Sequence, residues 1–416
     1  MRVQSALSVL DSFFVVKSKK GGKVLNSIFI YKEINGEVII TGLKKGVTTT
    51  SIVIPETIDG MPVVAIGPRA FRLTSITDIK IGENISKIGN DAFYNCDELS
   101  SVTWNHKCDV IPDFCFLGCS NLTQFDFSGI KKIGQYAFRK SGLQKVCLPE
   151  NIEVVSEWTF SECSELHSVT WNHKCDVIPD FCFLGCSNLT QFDFSGIKKI
   201  GQYAFSRSGL QEICLPENTE CISEGAFNEC SELHFVTWNH KCDVIPDFCF
   251  SACSNLTRFD FSGIEKIGIY AFQKSGLQEV FLPENIKNIV GGTFKGCRGL
   301  RSVTWNCTCD VIPVSCFAFC LNLTNFDFSG IKKIEQNAFW KSGLISVTLS
   351  KGTAVGQSCF AFCDSLAKVE WLSDRSIRGD IFAECKNIKE IYISDKVKNI
   401  EANAFVSSPN AEITFV

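Results

Sequence analysis

The sequence predicts an elongated repeat solenoid, and two internal periods support that prediction. The longer period is 67 residues: its copies begin at 104, 171, 238 and 305, and the stretch 104–138 recurs unchanged at 171–205. A repeated unit at fixed spacing, in which each unit contacts only its neighbours, is the signature of a solenoid. The shorter period is 21 to 23 residues, and a phenylalanine marks each of its sixteen units: Phe71, Phe93, Phe116, Phe138, Phe160, Phe183, Phe205, Phe227, Phe250, Phe272, Phe294, Phe317, Phe339, Phe360, Phe382 and Phe405.

Each short unit begins with a predicted strand that has one buried face. In residues 100–104, Val102 and Trp104 alternate with polar residues and are expected to face inward. The next unit is predicted to do the same at 123–127, with Phe125 and Phe127 inward. In the third unit Val146 and Leu148 fill these places, and Pro149 ends the strand. Stacking such units is expected to form one long parallel sheet.

A return segment and a tight turn complete each unit. Pro112 argues against a long helix in the return segment because proline breaks helices. Residues 114–119 are predicted to form a short helical or irregular turn that buries Phe114, Phe116 and Cys119. A single unit cannot bury its own apolar face, so the stacked units share one core.

The chain is expected to divide into two parts. Residues 1–50 form an N-terminal segment with a capping β-hairpin, because two β-rich runs meet at Asn35-Gly36, a strong hairpin signal. The cap itself is placed at residues 28–50, since a terminal repeat must shield its core and its sheet edge. Residues 51–416 form the solenoid with its 67-residue super-repeats.

Composition restricts the classes of function. Apolar residues make up 45% of the chain, with 35 phenylalanines, so a large core is available. The net charge is −4 and no Lys/Arg-rich block stands out, which argues against nucleic acid as a partner. The sequence contains no run of 18 apolar residues, so it predicts no integral membrane segment. Residues 1–16 resemble a secretory signal only weakly, because Asp11 interrupts the apolar part and no small-residue cleavage site follows before Lys17.

One motif recurs through the short units and connects the chain to a known family. It is Ile-Gly-x-x-Ala-Phe, often followed by x-x-Cys-x-x-Leu-x-x-Val-x-Leu-Pro, as at 133–149, 267–283 and 88–104. In this motif the chain resembles the BspA-like, Treponema pallidum-type leucine-rich repeat family over about 365 residues. The resemblance implies an α/β-type leucine-rich-repeat solenoid of about 16 repeats, with a parallel sheet on the concave face and short helical or irregular turns on the convex face.

The resemblance also implies a function. Many members of this family look like cell-surface proteins of bacteria and mucosal protists with proposed roles in adhesion to host proteins. We therefore expect a non-enzymatic surface adhesin or host-protein-binding protein whose ligand is an extracellular-matrix or cell-surface protein. The alternatives are an intracellular interaction scaffold, favoured by free-thiol-like cysteines and the weak N-terminal signal, and a purely structural or antigen-variation role. Location therefore stays open between surface or secreted and cytoplasmic, and the sequence sets no oligomeric state.

Catalysis is disfavoured by the positions of the histidines. All five lie inside the 67-residue repeats, whereas a catalytic triad needs one convergent pocket. No phosphate-binding glycine motif occurs. We expect no catalytic residue and no cofactor.

A recurring histidine–cysteine group raises the question of a metal site. A His-to-Cys exchange in the fourth copy would preserve a zinc ligand, but the spacing matches none of the usual zinc motifs. Cys119 also takes the place of Ser141 and Ser208 in related units, which favours packing. We expect structural thiols and no metal. The groups are His106, Cys108, Cys115 and Cys119; His173, Cys175, Cys182 and Cys186; His240, Cys242, Cys249 and Cys253; and Cys307, Cys309, Cys316 and Cys320.

The outward strand positions are the candidate protein-binding site. Alternation places Asp126, Asp193, Asp260 and Asp327 at equivalent outward points, flanked by Gln124, Gln191, Arg258 and Asn325. Phe235 and Phe281 are expected to point outward as apolar anchors. A merely solvated face is the competing interpretation. The hypothesis names Asp126, Asp193, Asp260, Asp327, Arg258, Phe235 and Phe281.

Overall fold

The structure, a computed structural model, describes residues 28–172, 174–239 and 241–416. The signal-like residues 1–16 and two members of the histidine–cysteine groups, His173 and His240, lie outside the described residues.

The described chain begins with a β-hairpin that leads into the first coils. β1 (Phe29–Ile34) pairs antiparallel with β2 (Glu37–Leu43). Asn35 and Gly36 join them with φ of 55° and 82°, the positive values that a type I′ turn requires at both central positions. After β3 (Ser51–Val53) and β4 (Thr57–Ile58), β5 (Met61–Ile66) runs parallel to β2 and connects the hairpin to the solenoid.

The other strands are short and repeat along the chain. They are β6 (Asp78–Lys80), β7 (Lys87–Ile88), β8 (Ser101–Thr103), β9 (Val110–Ile111), β10 (Lys132–Ile133), β11 (Lys145–Cys147), β12 (Val154–Val155), β13 (Ser168–Thr170), β14 (Val177–Ile178), β15 (Lys199–Ile200), β16 (Glu212–Cys214), β17 (Cys221–Ile222), β18 (Phe235–Thr237), β19 (Val244–Ile245), β20 (Lys266–Ile267), β21 (Glu279–Leu282), β22 (Asn288–Ile289), β23 (Ser302–Trp305), β24 (Val311–Ile312), β25 (Lys333–Ile334), β26 (Ser346–Leu349), β27 (Ala354–Val355), β28 (Lys368–Trp371), β29 (Glu390–Ile393) and β30 (Glu412–Phe415).

These strands belong to two parallel sets, one on each side of the coil. The A strands have three or four residues, and β11 for example pairs with β13 of the next coil. The B strands have two residues, and β10 pairs with both β9 and β12. A turn segment then leads from each B strand to the next A strand. The A strands are β3, β6, β8, β11, β13, β16, β18, β21, β23, β26, β28, β29 and β30.

The turn segments are irregular rather than helical. Alternate N–H groups bond to the next coil, as in Phe116 N to Ala137 O (2.7 Å) and Gly118 N to Arg139 O (2.8 Å). The N–H groups between them close local turns, as in Cys115 N to Pro112 O (3.3 Å). Because each coil supplies the partners of its neighbour, a turn needs no helix to satisfy its backbone. Among the described residues there is no helix, and hence none long and apolar enough to cross a membrane.

The prediction of one long sheet is wrong, because the A strands are interrupted in every super-repeat. Residues 123–127 are not a strand, and the ladder stops at β8 and resumes at β11. Phe125 and Phe127 do point inward, as predicted, but Phe125 stands where neighbouring coils have Val102 and Val146. The larger ring packs against Trp104 (5.5 Å between centroids) and holds this backbone out of the ladder. The same interruption recurs in the other three copies.

A continuous phenylalanine stack forms the centre of the core. The sixteen landmark phenylalanines contact one another in sequence, from Phe71–Phe93 (5.4 Å between centroids) to Phe382–Phe405 (5.4 Å), and every successive pair is stacked. Phe29 of the hairpin meets Phe71 edge-on at 6.5 Å. Phe114, in contrast, is only half-buried, because it belongs to an outer column with Tyr136 (5.0 Å).

Beside the phenylalanine stack runs a column of thiols and hydroxyls. The Sγ of Cys119 donates to Phe93 O (3.1 Å), and that of Cys163 donates to Phe138 O (3.0 Å) while contacting Ser141 (3.4 Å). Burial raises the pKa of Cys163 to about 11, which keeps this thiol protonated as a donor. Serine takes the place of cysteine in some coils, and the hydroxyl of Ser208, like that of Ser141, lies against the thiol of the following coil (3.4 Å to Cys230).

Truncating one ring of the phenylalanine stack should destabilise the solenoid strongly. Phe205 is fully buried, so we expect Phe205→Ala to lower the free energy of unfolding by about 3–5 kcal/mol. Phe235→Ala is the matched control: its side chain is 51% exposed, and the change should stay within about 0.5 kcal/mol. Urea unfolding followed by circular dichroism measures both, and equal losses would contradict a stack-dominated core.

Candidate functional site

The outward side chains of the A strands and of the segments between them form one continuous surface, which we call the A face. Each coil contributes two outward positions to it. Where the second super-repeat meets the third, β18 contributes Phe235 and β21 contributes Phe281, while Arg258 and Asp260 lie on the interrupted coil between them. This order follows directly from the parallel stacking of the coils.

All seven predicted site residues are exposed on the A face. The side chains of Phe235 and Phe281 are 51% and 57% exposed, unusually high for phenylalanine. Arg258 and the four aspartates are exposed as well. The structure thus brings Phe235, Arg258, Asp260 and Phe281 onto adjoining coils. The remaining three aspartates lie at the same place in the other copies: Asp193 and Asp327 are each one super-repeat from Asp260, and Asp126 is two.

The four aspartates have a local role that the sequence did not indicate. In each copy Oδ1 accepts a hydrogen bond from the N–H two residues later, at 2.9 Å: Asp126 from Ser128, Asp193 from Ser195, Asp260 from Ser262 and Asp327 from Ser329. Aspartate commonly closes a loop in this way. The bond from Ser329 lowers the pKa of Asp327, and the corresponding bond from Ser128 lowers that of Asp126, with a smaller effect of the nearby His106.

Each of the two exposed phenylalanines occurs in one super-repeat only: Phe235 lies near the end of the second copy and Phe281 lies in the third. The position of Phe235 is serine in the other copies, as in Ser168, and the position of Phe281 is Cys147, Cys214 or Thr348. One coil lies between those of the two rings, so the rings are two coil steps apart, roughly 10 Å along the solenoid axis. Two apolar rings on either side of a charged pair form a surface suited to a protein partner, in which aromatic and arginine side chains dominate binding.

The histidine–cysteine groups have separate partners rather than a common centre. In the first copy Cys108 Sγ donates to Ile85 O (3.2 Å), Cys119 Sγ donates to Phe93 O, and His106 Nδ1 lies 3.1 Å from Ser128 O. Burial raises the pKa of Cys108 to about 11 and that of Cys115 well above its usual value. Within the described parts of the chain, no three His, Cys, Asp or Glu side chains are arranged to hold a metal ion.

The fourth copy differs because a cysteine replaces the histidine. The thiols of Cys307 and Cys309 are both half-buried, and Cys309 Sγ donates to Ile286 O (3.7 Å). The neighbouring thiol of Cys309 lowers the pKa of Cys307.

Reasoning from the sequence alone overlooked the turn segments as a surface. In the fourth copy the large apolar side chains of Phe319, Trp340 and Phe362 lie on the outside of the turns. A comparison between copies could have revealed this surface, because the first copy has Gly118, Arg139 and Glu162 at the three positions.

The stacked parallel coils, the phenylalanine core and the outward strand face define a leucine-rich-repeat solenoid protein. The family profile described as "BspA type Leucine rich repeat region (6 copies)" matches residues 44–167, 128–234, 176–301 and 289–412. The chain belongs to this BspA-type leucine-rich repeat family.

A solved structure gives the same fold. The chain is similar to a leucine-rich repeat protein from Bacteroides ovatus ATCC 8483, with 21% identity and a TM-score of 0.70 over 94% of this chain and 99% of that one. It is also similar to a leucine rich cell surface protein from Faecalibacterium prausnitzii A2-165, with 20% identity and a TM-score of 0.47 over 95% of each chain. A comparison with curated protein sequences found no significant match.

The loop-closing aspartates should make stability depend on acid. The folded pKa of Asp327 is lowered from 3.8. The stabilisation that its ionised carboxylate adds to the free energy of unfolding is therefore complete above pH 3.8 and is lost as pH falls through the folded pKa. We expect Asp327→Asn, which keeps an acceptor oxygen without charge, to flatten the fall in unfolding free energy below pH 4 or so. Urea unfolding between pH 2 and 6 or so tests this. Asn325→Asp, two residues away, is the control that adds a carboxylate without the loop bond, and an unchanged acid slope in Asp327→Asn would refute the assignment.

Proposed function

We propose that this chain is a non-enzymatic adhesin that captures a host extracellular-matrix or cell-surface protein on its A face. The observation that carries the proposal is the pair Phe235 and Phe281, exposed on either side of one intervening coil where the other copies have small residues. Because these exposed rings contribute nothing to the core, we assign them to contact with a partner.

Charge adds selectivity to these apolar anchors. Arg258 lies between the two rings, and Glu212 and Glu279 border the patch. Glu212 also lies 3.7 Å from His234 Nε2, which places an ionisable pair at the margin of Phe235. A ligand would therefore need apolar side chains at the centre and complementary charges at the rim, the usual composition of a protein interface.

The arrangement of the described histidines supports a binding role rather than a catalytic one. His106 contacts the Ser128 carbonyl, whereas His234 lies beside Glu212 on the A face, more than a super-repeat away along the chain. A triad would require such groups to converge with a nucleophile. The recurrence of the same coil spreads them apart instead.

An intracellular interaction scaffold is the second candidate, and the buried thiols favour it. Cys96, Cys119, Cys163 and their equivalents are free and donate hydrogen bonds to carbonyl groups. A reducing compartment preserves such thiols. Labelling intact producing cells with a membrane-impermeant biotin reagent separates the two: recovery of the labelled chain supports an adhesin, and labelling only after lysis supports the scaffold.

The A-face proposal predicts a binding loss without unfolding. Phe235→Ser and Phe281→Thr each restore the residue of another copy, so the fold should be unchanged. The double variant should weaken binding to matrix-coated or cell-coated surfaces at least ~10-fold, as expected when two aromatic anchors are removed. Val177→Thr, at a 44% exposed position of a B strand, is the matched control and should bind normally. Equal binding of the double variant and the control would refute the A face as the site.

A further inference from the structure

The charge of the turn segments differs between the first two and the last two super-repeats. In the first two copies, the segments 113–123, 135–144, 157–167, 180–190, 202–211 and 224–234 contain eight acidic residues and three basic ones. In the last two copies the equivalent segments 247–257 and 357–367 contain one acidic residue each, Asp247 and Asp364. The four segments between them, 268–278, 291–301, 314–324 and 336–345, contain no Asp or Glu. Together with Phe362 we call these four later segments the late turn surface. Their cations are Lys274, Lys295, Arg298, Arg301 and Lys341.

Two of these cations have lost the acidic partner that their equivalents retain. In the first copy Lys140 Nζ pairs with Glu162 at 3.3 Å, and in the second Arg207 Nε pairs with Glu229 at 2.9 Å. The glutamate position becomes Gly296 in the third copy and Phe362 in the fourth.

Lys274 and Lys341 nevertheless keep their places. Lys274 Cγ lies 3.2 Å from where a Cβ on residue 296 would be, and Lys341 N donates to Ala361 O at 2.8 Å. Both lysines are exposed, and neither forms an ion pair within residues 28–416 as far as these are described. Their charges are therefore available to a ligand.

Apolar side chains occupy the adjoining positions of the fourth copy. Leu321, Ile345 and Phe362 are 44%, 46% and 40% exposed, and the Trp340 ring lies 4.7 Å from Phe319 and 5.3 Å from Phe362. The first copy has Ser120, Gln144, Glu162, Arg139 and Gly118 at the corresponding positions. Five changes from polar residues or glycine to large apolar residues therefore fall on one surface, beside the cations of the late turn surface.

We propose that the late turn surface binds an acidic, amphipathic protein segment, whose carboxylates meet Lys274, Lys341 and the neighbouring cations while its apolar side chains cover Phe319, Trp340 and Phe362. Charge complementarity selects this partner, since the four segments carry five cations and no acid and the surface remains net basic with Asp364 beside Phe362. Phe319 and Trp340 are half-buried against each other, so they offer a shallow docking surface rather than protruding side chains that could enter a lipid layer.

This surface is separate from the A face, so the two proposals can fail independently. Phe235 and Phe281 lie on A strands, whereas the late turn surface lies on the segments that connect B strands to A strands. A variant of one surface leaves the residues of the other unchanged.

Substitutions taken from the first copy give a test that preserves the fold. The variant Phe319→Gly, Leu321→Ser, Trp340→Arg and Phe362→Glu rebuilds the first-copy surface, including a glutamate beside Lys341. Glu162 adopts φ of 57° and Phe362 adopts 61°, so the new side chain meets a backbone that already carries glutamate elsewhere. A second variant, Lys274→Ser with Lys341→Ser, removes only charge. Arg139→Gln with Lys140→Ser is the matched control on the first copy.

The full chain is titrated into a fluorescein-labelled peptide of about 14 residues in which Asp and Glu alternate with Leu and Phe. Fluorescence anisotropy should show binding that weakens at least ~10-fold in the four-site variant and in the lysine variant, and that falls with added salt. The control should bind as the native chain does. A peptide with Lys in place of the acids should not bind.

Three results would overturn the proposal. The first is equal binding of the acidic peptide by native chain and variants. The second is binding of phosphatidylcholine vesicles with about one-fifth phosphatidylserine but not of the peptide, which would assign the surface to a membrane. The third is a concentration-dependent sedimentation shift that the four-site variant abolishes in the absence of peptide binding, which would assign it to a second copy of this chain.

Discussion

The stacking of one phenylalanine per coil is the constraint on which the rest of the structure depends. Successive centroids lie 5.2 to 5.9 Å apart, close to the spacing of neighbouring parallel strands. A ring can stay in contact with both neighbours only if every coil returns to the same place. The unit length of 21 to 23 residues therefore varies only where a loop can absorb a residue. The same coil-to-coil alignment positions the strand ladders, the alternate N–H bonds of the turns and the thiol–hydroxyl column.

The sequence predicted the features that are set within one coil, but it did not predict those that depend on how a coil pairs with its neighbours. Period, inward alternation and the identity of the core phenylalanines follow from the pattern within a unit, and the solenoid follows from their repetition. The interruption at residues 123–127 does not, because TQFDF alternates like any strand. It becomes visible only when Phe125 is compared in volume with Val102 and Val146 of the coils that must pair with it.

The candidate site shows the same division. Alternation placed Asp126, Phe235 and Phe281 outward, and they are exposed. It could not show that the aspartates close their own loops, since that bond requires the backbone to turn immediately after the carboxylate. This local role explains the presence of an aspartate in all four copies without any ligand. Residues that differ between copies, such as Phe235, are therefore more informative about binding than those that recur.

The contrast between copies also explains how such a chain can carry distinct surfaces without losing its fold. In a solenoid each coil contacts only its neighbours, and a change at an exposed position alters stability by no more than about 0.5 kcal/mol. The core positions have no such freedom, because a buried ring contacts the coils on both sides. Replacement of Glu162 by Gly296 and Phe362 in the later copies removes an exposed inter-coil ion pair, an interaction of modest value in water. The structure thus tolerates the loss of that pair while the freed lysine and the new ring change what the surface can contact.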